Sequence, residues 1–382
     1  MGQTAREEDR PGGAVEAKRS TTIALDAFGG DDCPGVEVEG AVEAARGGVH
    51  VILVGREDEL RKALRRYPDH ERLPIRIHHA SETIGMADSP SKAVRNKPDA
   101  SMPVAFDLVK RGEADAVMSA GNSGAMLACG LFKYRRIRGV DRPPLVTSLP
   151  TRTGMAVVLD VGANVECRPL NLVQFGVLGA VYSSFKHGKA RPTVGILSNG
   201  TEEGKGTELT RAAHRVLSEH ASEDFEYTGY VEGGRLFGGG VDVVVTDGFT
   251  GNVALKLIEA TGRLIGGWLR EAVNRGMRQK LGALLLKSAF GELKHRLDPD
   301  TYGAAPLLGV GGVAFICHGG SSSFAIATAL RLSARSVDED LLPKLADAVA
   351  RNKHLFDAAK GLETQAEGAK PPRSATVQEE SS

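Results

Sequence analysis

Neither sign of charge is in excess in this chain: lysine plus arginine and aspartate plus glutamate each number 48. With no net charge there is no global field to recruit nucleic acid or an acidic membrane, so an acidic partner must find a local patch. Cysteine is scarce and scattered. Cys33, Cys129, Cys167 and Cys317 form neither a C-x-x-C pair nor a metal-ligand rhythm, which reads as buried free thiols in a reducing cytosol. An apolar leader is also missing, since the first twenty residues mix arginine with glutamate and read as a disordered tail, neither signal nor transit peptide. One long run, from Thr301 to Leu330, is free of formal charge apart from the titratable His318. Its glycines, Pro306 and Ser321-Ser322-Ser323 would leave backbone groups unsatisfied in lipid, so it is read as a buried strand, turn and helix.

Several catalytic signatures fail on close reading. Gly200-Thr201-Glu202-Glu203-Gly204-Lys205-Gly206 has too few residues between its first two glycines for a P-loop, and Gly206 replaces the hydroxyl residue that would hold magnesium. Gly309-Val310-Gly311-Gly312-Val313-Ala314 has the spacing of a dinucleotide fingerprint but precedes a strand instead of following one. Gly121-Asn122-Ser123-Gly124 is one residue short of a nucleophile elbow. His78-His79 lies on an expected strand, where neighbours point to opposite faces and cannot easily share an ion. No metal and no cofactor are expected.

What is present is a repeated grammar. Ala114 to Met126 and Val241 to Val253 are each an apolar run that stops at a hydroxyl residue, turns through glycines and opens a second apolar segment. Strand, tight turn and helix follow from that pattern, and a turn of this kind offers amides, hydroxyls and a carboxamide to an anion. Further strands are expected at Thr22 to Leu25, His50 to Gly55, Ile75 to His79, Ala156 to Asp160, Thr193 to Leu197 and Val313 to Cys317. Their continuous apolar character suits strands covered on both faces. The expected fold is α/β, a three-layer, mostly parallel sheet over residues 21–360, with a helical excursion at about 255–297 and a disordered polar tail at 361–382. That excursion is a candidate dimer contact, or else an ordinary covering helix pair.

Ligands of such sheets collect at the carboxyl ends of the strands. The turns at Asp26 to Gly30, Ser119 to Asn122, Val161 to Asn164, Ser198 to Gly200, Asp247 to Asn252 and His318 to Ser321 are therefore expected to build one cleft. The strongest basic cluster is Phe132 to Arg142, read either as a solvated face or as a dock for an acidic macromolecule.

The segments Ile23 to Asp31, Ser119 to Ala125, Asp160 to Asn164, Asp247 to Asn252 and Tyr302 to Gly309 together resemble the phosphate acyltransferase (PlsX) family of bacterial phospholipid synthesis, in family order. The resemblance implies a fold like those of phosphotransacetylase and isocitrate dehydrogenase. It also implies reversible acyl transfer from acyl carrier protein to inorganic phosphate, by a cytoplasmic homodimer. Peripheral association with the inner face of the membrane, and contact with a downstream glycerol-phosphate acyltransferase, belong to the same expectation, whereas nucleic acid does not. Phosphate brings its own nucleophilic oxygen and a thiolate is a fair leaving group, so no Ser-His-Asp triad is required.

On this mechanism Ser119, Asn122 and Ser123 are the expected phosphate or oxyanion donors, and Lys205 or Lys256 supplies positive charge. Gly29, Gly30, Gly121, Asn164, Asn252 and His318 line the cleft, with Asp26 and Asp247 orienting donors. Arg135, Arg136 and Arg138 are expected to dock the carrier protein. The alternatives are a coenzyme A-dependent short-chain phosphotransacylase, a dehydrogenase on the same type of fold, and a non-catalytic scaffold that binds acyl carrier protein.

Overall fold

Strands and helices alternate through residues 20–297 and 304–368, which are the residues described by the computed structural model. The first strand, β1 (Thr22–Asp26), is wholly buried, and its alternate side chains enter different cores. Ile23 and Leu25 join one hydrophobic cluster with Val51, Leu53, Met118 and Phe315, while Ala24 joins another with Ile52, Val54, Val117 and Ile316. A strand with two buried faces reads as a continuous apolar run, which is why the period-2 signal is hidden in the sequence. Helices Gly35–Arg46 and Ser323–Asp338 cover one face, and helices Ser101–Lys110 and Ser123–Cys129 cover the other.

Strands β2 (His50–Gly55), β3 (Ile75–His79) and β4 (Ala116–Ser119) are parallel to β1. Further along come β5 (Val146–Thr151), β6 (Gly154–Leu159), β7 (Thr193–Leu197), β8 (Glu226–Val231) and β9 (Val243–Val245). The last two are β10 (Ala305–Pro306) and β11 (Val313–Ile316). Hydrogen bonding divides them into a six-stranded sheet, β10-β11-β4-β1-β2-β3, and a five-stranded sheet, β5-β6-β9-β7-β8. The expected single sheet is thus two, each mostly parallel with one antiparallel edge strand, β10 or β5. An isolated antiparallel bridge, Leu145 to Leu307, joins these two edges.

That join has a directional consequence. Leu307 lies opposite Ala314, at the amino end of β11, and Asp160, just past the carboxyl end of β6, bonds Leu145. The carboxyl ends of the second sheet's parallel strands therefore stand level with the amino ends of the first sheet's. The turns expected to share one cleft fall into two groups, because the antiparallel β5 reverses the chain direction between the sheets.

The helical excursion begins earlier than expected, as helix Gly248–Asn274, and continues through Met277–Leu285 and Lys287–Leu297. Among the described residues, no helix is long and apolar enough to cross a membrane. The expected tails lie outside the described residues except for Ser20 and residues 361–368. The latter belong to helix Lys353–Gly368, where Glu363 accepts a 3.0 Å hydrogen bond from the Leu170 amide, so the ordered body runs past residue 360.

Candidate active site

Three turns meet at the carboxyl ends of β1, β4 and β11. The buried Asp26 carboxylate accepts the Ser119 hydroxyl at 2.7 Å and the Phe28 amide at 3.2 Å. Ser119 Oγ in turn accepts the Gly121 amide at 2.9 Å. A Cβ on Gly29 would stand 2.7 Å from the Gly121 nitrogen and 2.8 Å from Ser119 Oγ, so glycine is what lets the first two turns touch. The third turn closes on the first through the Asp31 amide, which donates to the Gly319 carbonyl at 2.9 Å. His318 is exposed, and its Nδ1 accepts the Gly320 amide at 3.1 Å.

Asn122 caps helix Ser123–Cys129 by accepting the Ala125 amide at 3.1 Å. Its Nδ2 donates toward three carbonyls of one neighbouring loop, Gly85 at 3.3 Å, Met86 at 3.2 Å and Asp88 at 3.2 Å. Asn122 is thus a buried clamp between helix and loop. Ser119 likewise commits its proton to Asp26, which leaves Ser123, exposed at the first helical position, as the open hydroxyl of the three predicted donors.

Two buried carboxyls lie in this group, and sequence reading found only Asp26. Burial pushes Asp26 above the usual carboxylate range, against hydrogen bonds from Ser101, Ser119 and the Phe28 amide. Glu37, in helix Gly35–Arg46, is pushed up to about 7 by burial, with the Asp26 carboxylate adding to the rise and its own and the Gly30 amides opposing it. Its Oε2 is buried without a hydrogen-bond partner. A Cβ on Gly30 would stand 2.2 Å from Glu37 Oε1, so the Gly29-Gly30 turn closes directly over this side chain. The signal for Glu37 was in the register: it shares one helical face with Ala41 and Ala44, both buried. Burial thus disfavours the charged form of both carboxyls, which weakens the repulsion an anion would meet at this group.

The second group lies at the carboxyl ends of β6, β9 and β7. Asp160 is fully buried and accepts five N–H groups, from the Leu145, Gly162, Ala163 and Asn164 amides and from Asn164 Nδ2. Burial pushes its carboxyl up against the pull of these donors. Asn164 Nδ2 also donates to the Pro143 carbonyl, and its own carbonyl accepts the Gly248 amide, so it is a structural tie. Asp247 caps helix Gly248–Asn274 through the Thr250 amide and hydroxyl. Asn252 is half-buried against Gly162, and Lys256 is exposed one turn further along. Lys205 is exposed in the loop after β7, where Asn199 Oδ1 accepts the Gly206 amide. The second group thus holds Asn164, Asp247, Asn252, Lys256 and Lys205, and the first holds Ser119, Asn122, Ser123, Asp26, Gly29, Gly30, Gly121 and His318.

Arg135, Arg136 and Arg138 are exposed, and the Ile137 amide donates to the Gly309 carbonyl, which sets them at the end of the first sheet nearer the second group. Arg136 also donates to the Asp141 carbonyl.

A family profile described as "Fatty acid synthesis protein" matches residues 21–344. The phosphate acyltransferase of Geobacter sulfurreducens is 48% identical over 343 residues, covering 88% of this chain and 98% of the relative. That of Syntrophotalea carbinolica is 50% identical over 337 residues, covering 88% and 96%. Among solved structures, a phosphotransacetylase from Streptococcus pyogenes superposes with a TM-score of 0.53 at 15% identity, covering 84% of this chain and 95% of that one. The EutD phosphotransacetylase from Staphylococcus aureus gives 0.52 at 17% identity, covering 83% and 94%. At such identities the likeness concerns the fold, which is the phosphotransacetylase arrangement anticipated from the sequence. The two close relatives, matched over nearly their whole length, place this chain in the phosphate acyltransferase family, as an acyltransferase enzyme.

Proposed function

We propose that this chain transfers a fatty acyl group from acyl carrier protein to inorganic phosphate, releasing an acyl phosphate for phospholipid synthesis. The observation that carries this reading is the turn group at β1, β4 and β11, which brings backbone amides and hydroxyls together and leaves Ser123 exposed at the head of its helix. A phosphate oxygen attacks the thioester carbonyl carbon, the carbon–sulfur bond breaks, and the thiolate leaves with the electron pair and takes up a proton. A thiol of ordinary pKa, about 8.5, leaves without a dedicated acid. The protein's part is to position the phosphate and stabilise the oxyanion, with Ser123 and the turn amides as donors and Ser119, Asp26 and Asn122 holding their geometry. Asn164, Asp247 and Asn252 support the second group of turns and are not assigned to the phosphate.

The carrier protein docks on Arg135, Arg136 and Arg138, a reading supported by their shared exposure and charge. A homodimer is supported by helix Gly248–Asn274, which buries only Gly248 and Gly251 while leaving Leu257, Leu264 and Trp268 at least half exposed. Peripheral contact with the inner face of the membrane finds support in exposed Met277, Leu281, Leu284 and Leu285. The free cysteines suit a cytoplasmic enzyme.

The test is incubation with long-chain acyl carrier protein, with and without phosphate, followed by mass detection of the product. Acyl phosphate is expected only when phosphate is present, and added chelator should leave the rate unchanged. A thioester stable to phosphate, or a strict need for magnesium or a nicotinamide cofactor, would refute the reading.

A further inference from the structure

A positive charge beside neutral donors strengthens their hold on an anion, and the two lysines that the sequence suggested stand with the other group of turns. A different cation is tied to the first group. Lys97, just past helix Pro90–Asn96, folds back so that its ammonium donates to the Thr83 carbonyl at 3.1 Å and to Asp88 Oδ2 at 2.6 Å. Asp88 Oδ2 also accepts the Gly85 amide at 2.9 Å, and the Asp88 carbonyl accepts Asn122 Nδ2 at 3.2 Å. One aspartate therefore links the Lys97 ammonium directly to the clamp at the head of helix Ser123–Cys129. Pro90 packs against Gly124 from the same side: a Cβ there would stand 2.6 Å from the proline ring.

We propose that Lys97 binds the phosphate at this site, with Asp88 as its positioning residue. The inference rests on the function proposed above and names the charged residue that function requires. An ammonium has three donors, and Thr83 and Asp88 use two. The Lys97 and Asp88 side chains are 35% and 34% exposed, so the pair is held in place yet open to solvent on one side. Arg56, another cation near these turns, lies with its guanidinium 4.1 Å from the Phe28 ring centre and pairs with Glu59.

Two measurements test this. In steady-state assays Lys97→Gln should raise the KM for phosphate at least tenfold while the KM for the acyl donor stays within twofold, and Lys97→Arg should recover most of the loss. A merely structural lysine would shift both constants or the unfolding temperature instead. In the wild-type enzyme, which avoids any folding defect, phosphate should slow amine labelling of Lys97, read by peptide mass, relative to chloride at equal ionic strength. Lys205 and Lys256 should label at unchanged rates. An enzyme that turns over phosphate but shows neither the KM shift nor protection of Lys97, or in which phosphate protects Lys205 instead, overturns the assignment and leaves the proposed function standing. If the wild type forms no acyl phosphate, the function fails and the assignment falls with it.

Discussion

Two turns written in the same grammar, Ser119 to Asn122 after β4 and Thr246 to Asn252 after β9, fold into the same local device and then part company. Each ends in a side-chain cap, Asn122 on the Ala125 amide and Asp247 on the Thr250 amide. Around the first, one buried carboxyl is left incomplete, since Glu37 Oε2 has no partner. Around the second, the buried Asp160 is surrounded by five N–H groups. The first helix runs on for seven residues and packs into the core, whereas the second runs for 27 and leaves most of its apolar surface open. A shared sequence pattern thus fixes the cap, but the surroundings decide whether the buried carboxyl beside the turn is left partly unpaired or saturated.

The comparison breaks most severely at Asp160. Asp160→Asn keeps the shape but sets an amide N–H₂ against donors that now meet a carboxylate, at Leu145, Gly162 and Ala163 or at Asn164. Leaving such donors unpaired in a buried site costs on the order of 3–5 kcal/mol. Urea unfolding should show a lower midpoint with an unchanged slope, and a loss under 1 kcal/mol would mean that the saturated turn is not the structural one.

Glu37→Gln should do the reverse. A carboxyl held at about 7 in the fold and near 4.5 when unfolded is neutral in both states at low pH and carries no penalty there. As pH rises from 4.5 to 7 the unfolded chain ionises first, so stability falls, and above about 7 the full cost of a buried charge is present. The glutamine variant escapes that cost. Its gain should be near zero at pH 4 and reach about 3 kcal/mol at pH 8, by the conversion of a pKa difference into free energy. A gain that does not vary with pH would show that Glu37 is not the strained group.

Much of this fold was legible because long apolar runs mark covered strands: β1, β2, β3, β4, β6, β7, β9 and β11 all overlap expected segments. The strands that escaped were the two-residue β10, then β5, which follows Pro143-Pro144 and contains Pro150, and β8, which carries a bulge with Gly229 at a φ of +85°. Missing β5 had the larger consequence, because its antiparallel turn inverts the second sheet and separates turns that a single parallel sheet would have gathered. Glu37 was hidden by the habit of assigning a charged residue to solvent. Lys97 and Asp88 were hidden for a different reason: their link to Asn122 runs through backbone carbonyls of a loop, which no residue type encodes.

The smallest effect is expected at the arginine segment, on the border between the two groups. Arg135, Arg136 and Arg138 are exposed, so reversing their charge should change stability little. If they steer an acidic carrier, the triple Arg→Glu variant should raise the KM for carrier-bound substrate several-fold and flatten its salt dependence, since rim charges act mainly on encounter. A short acyl thioester without a carrier has no acidic surface to steer and should react at the wild-type rate. Comparing the two substrates across ionic strength therefore separates docking from chemistry. Equal losses with both would place these arginines in support of the fold or the active site, and the carrier would then have to approach from the Ser123 side.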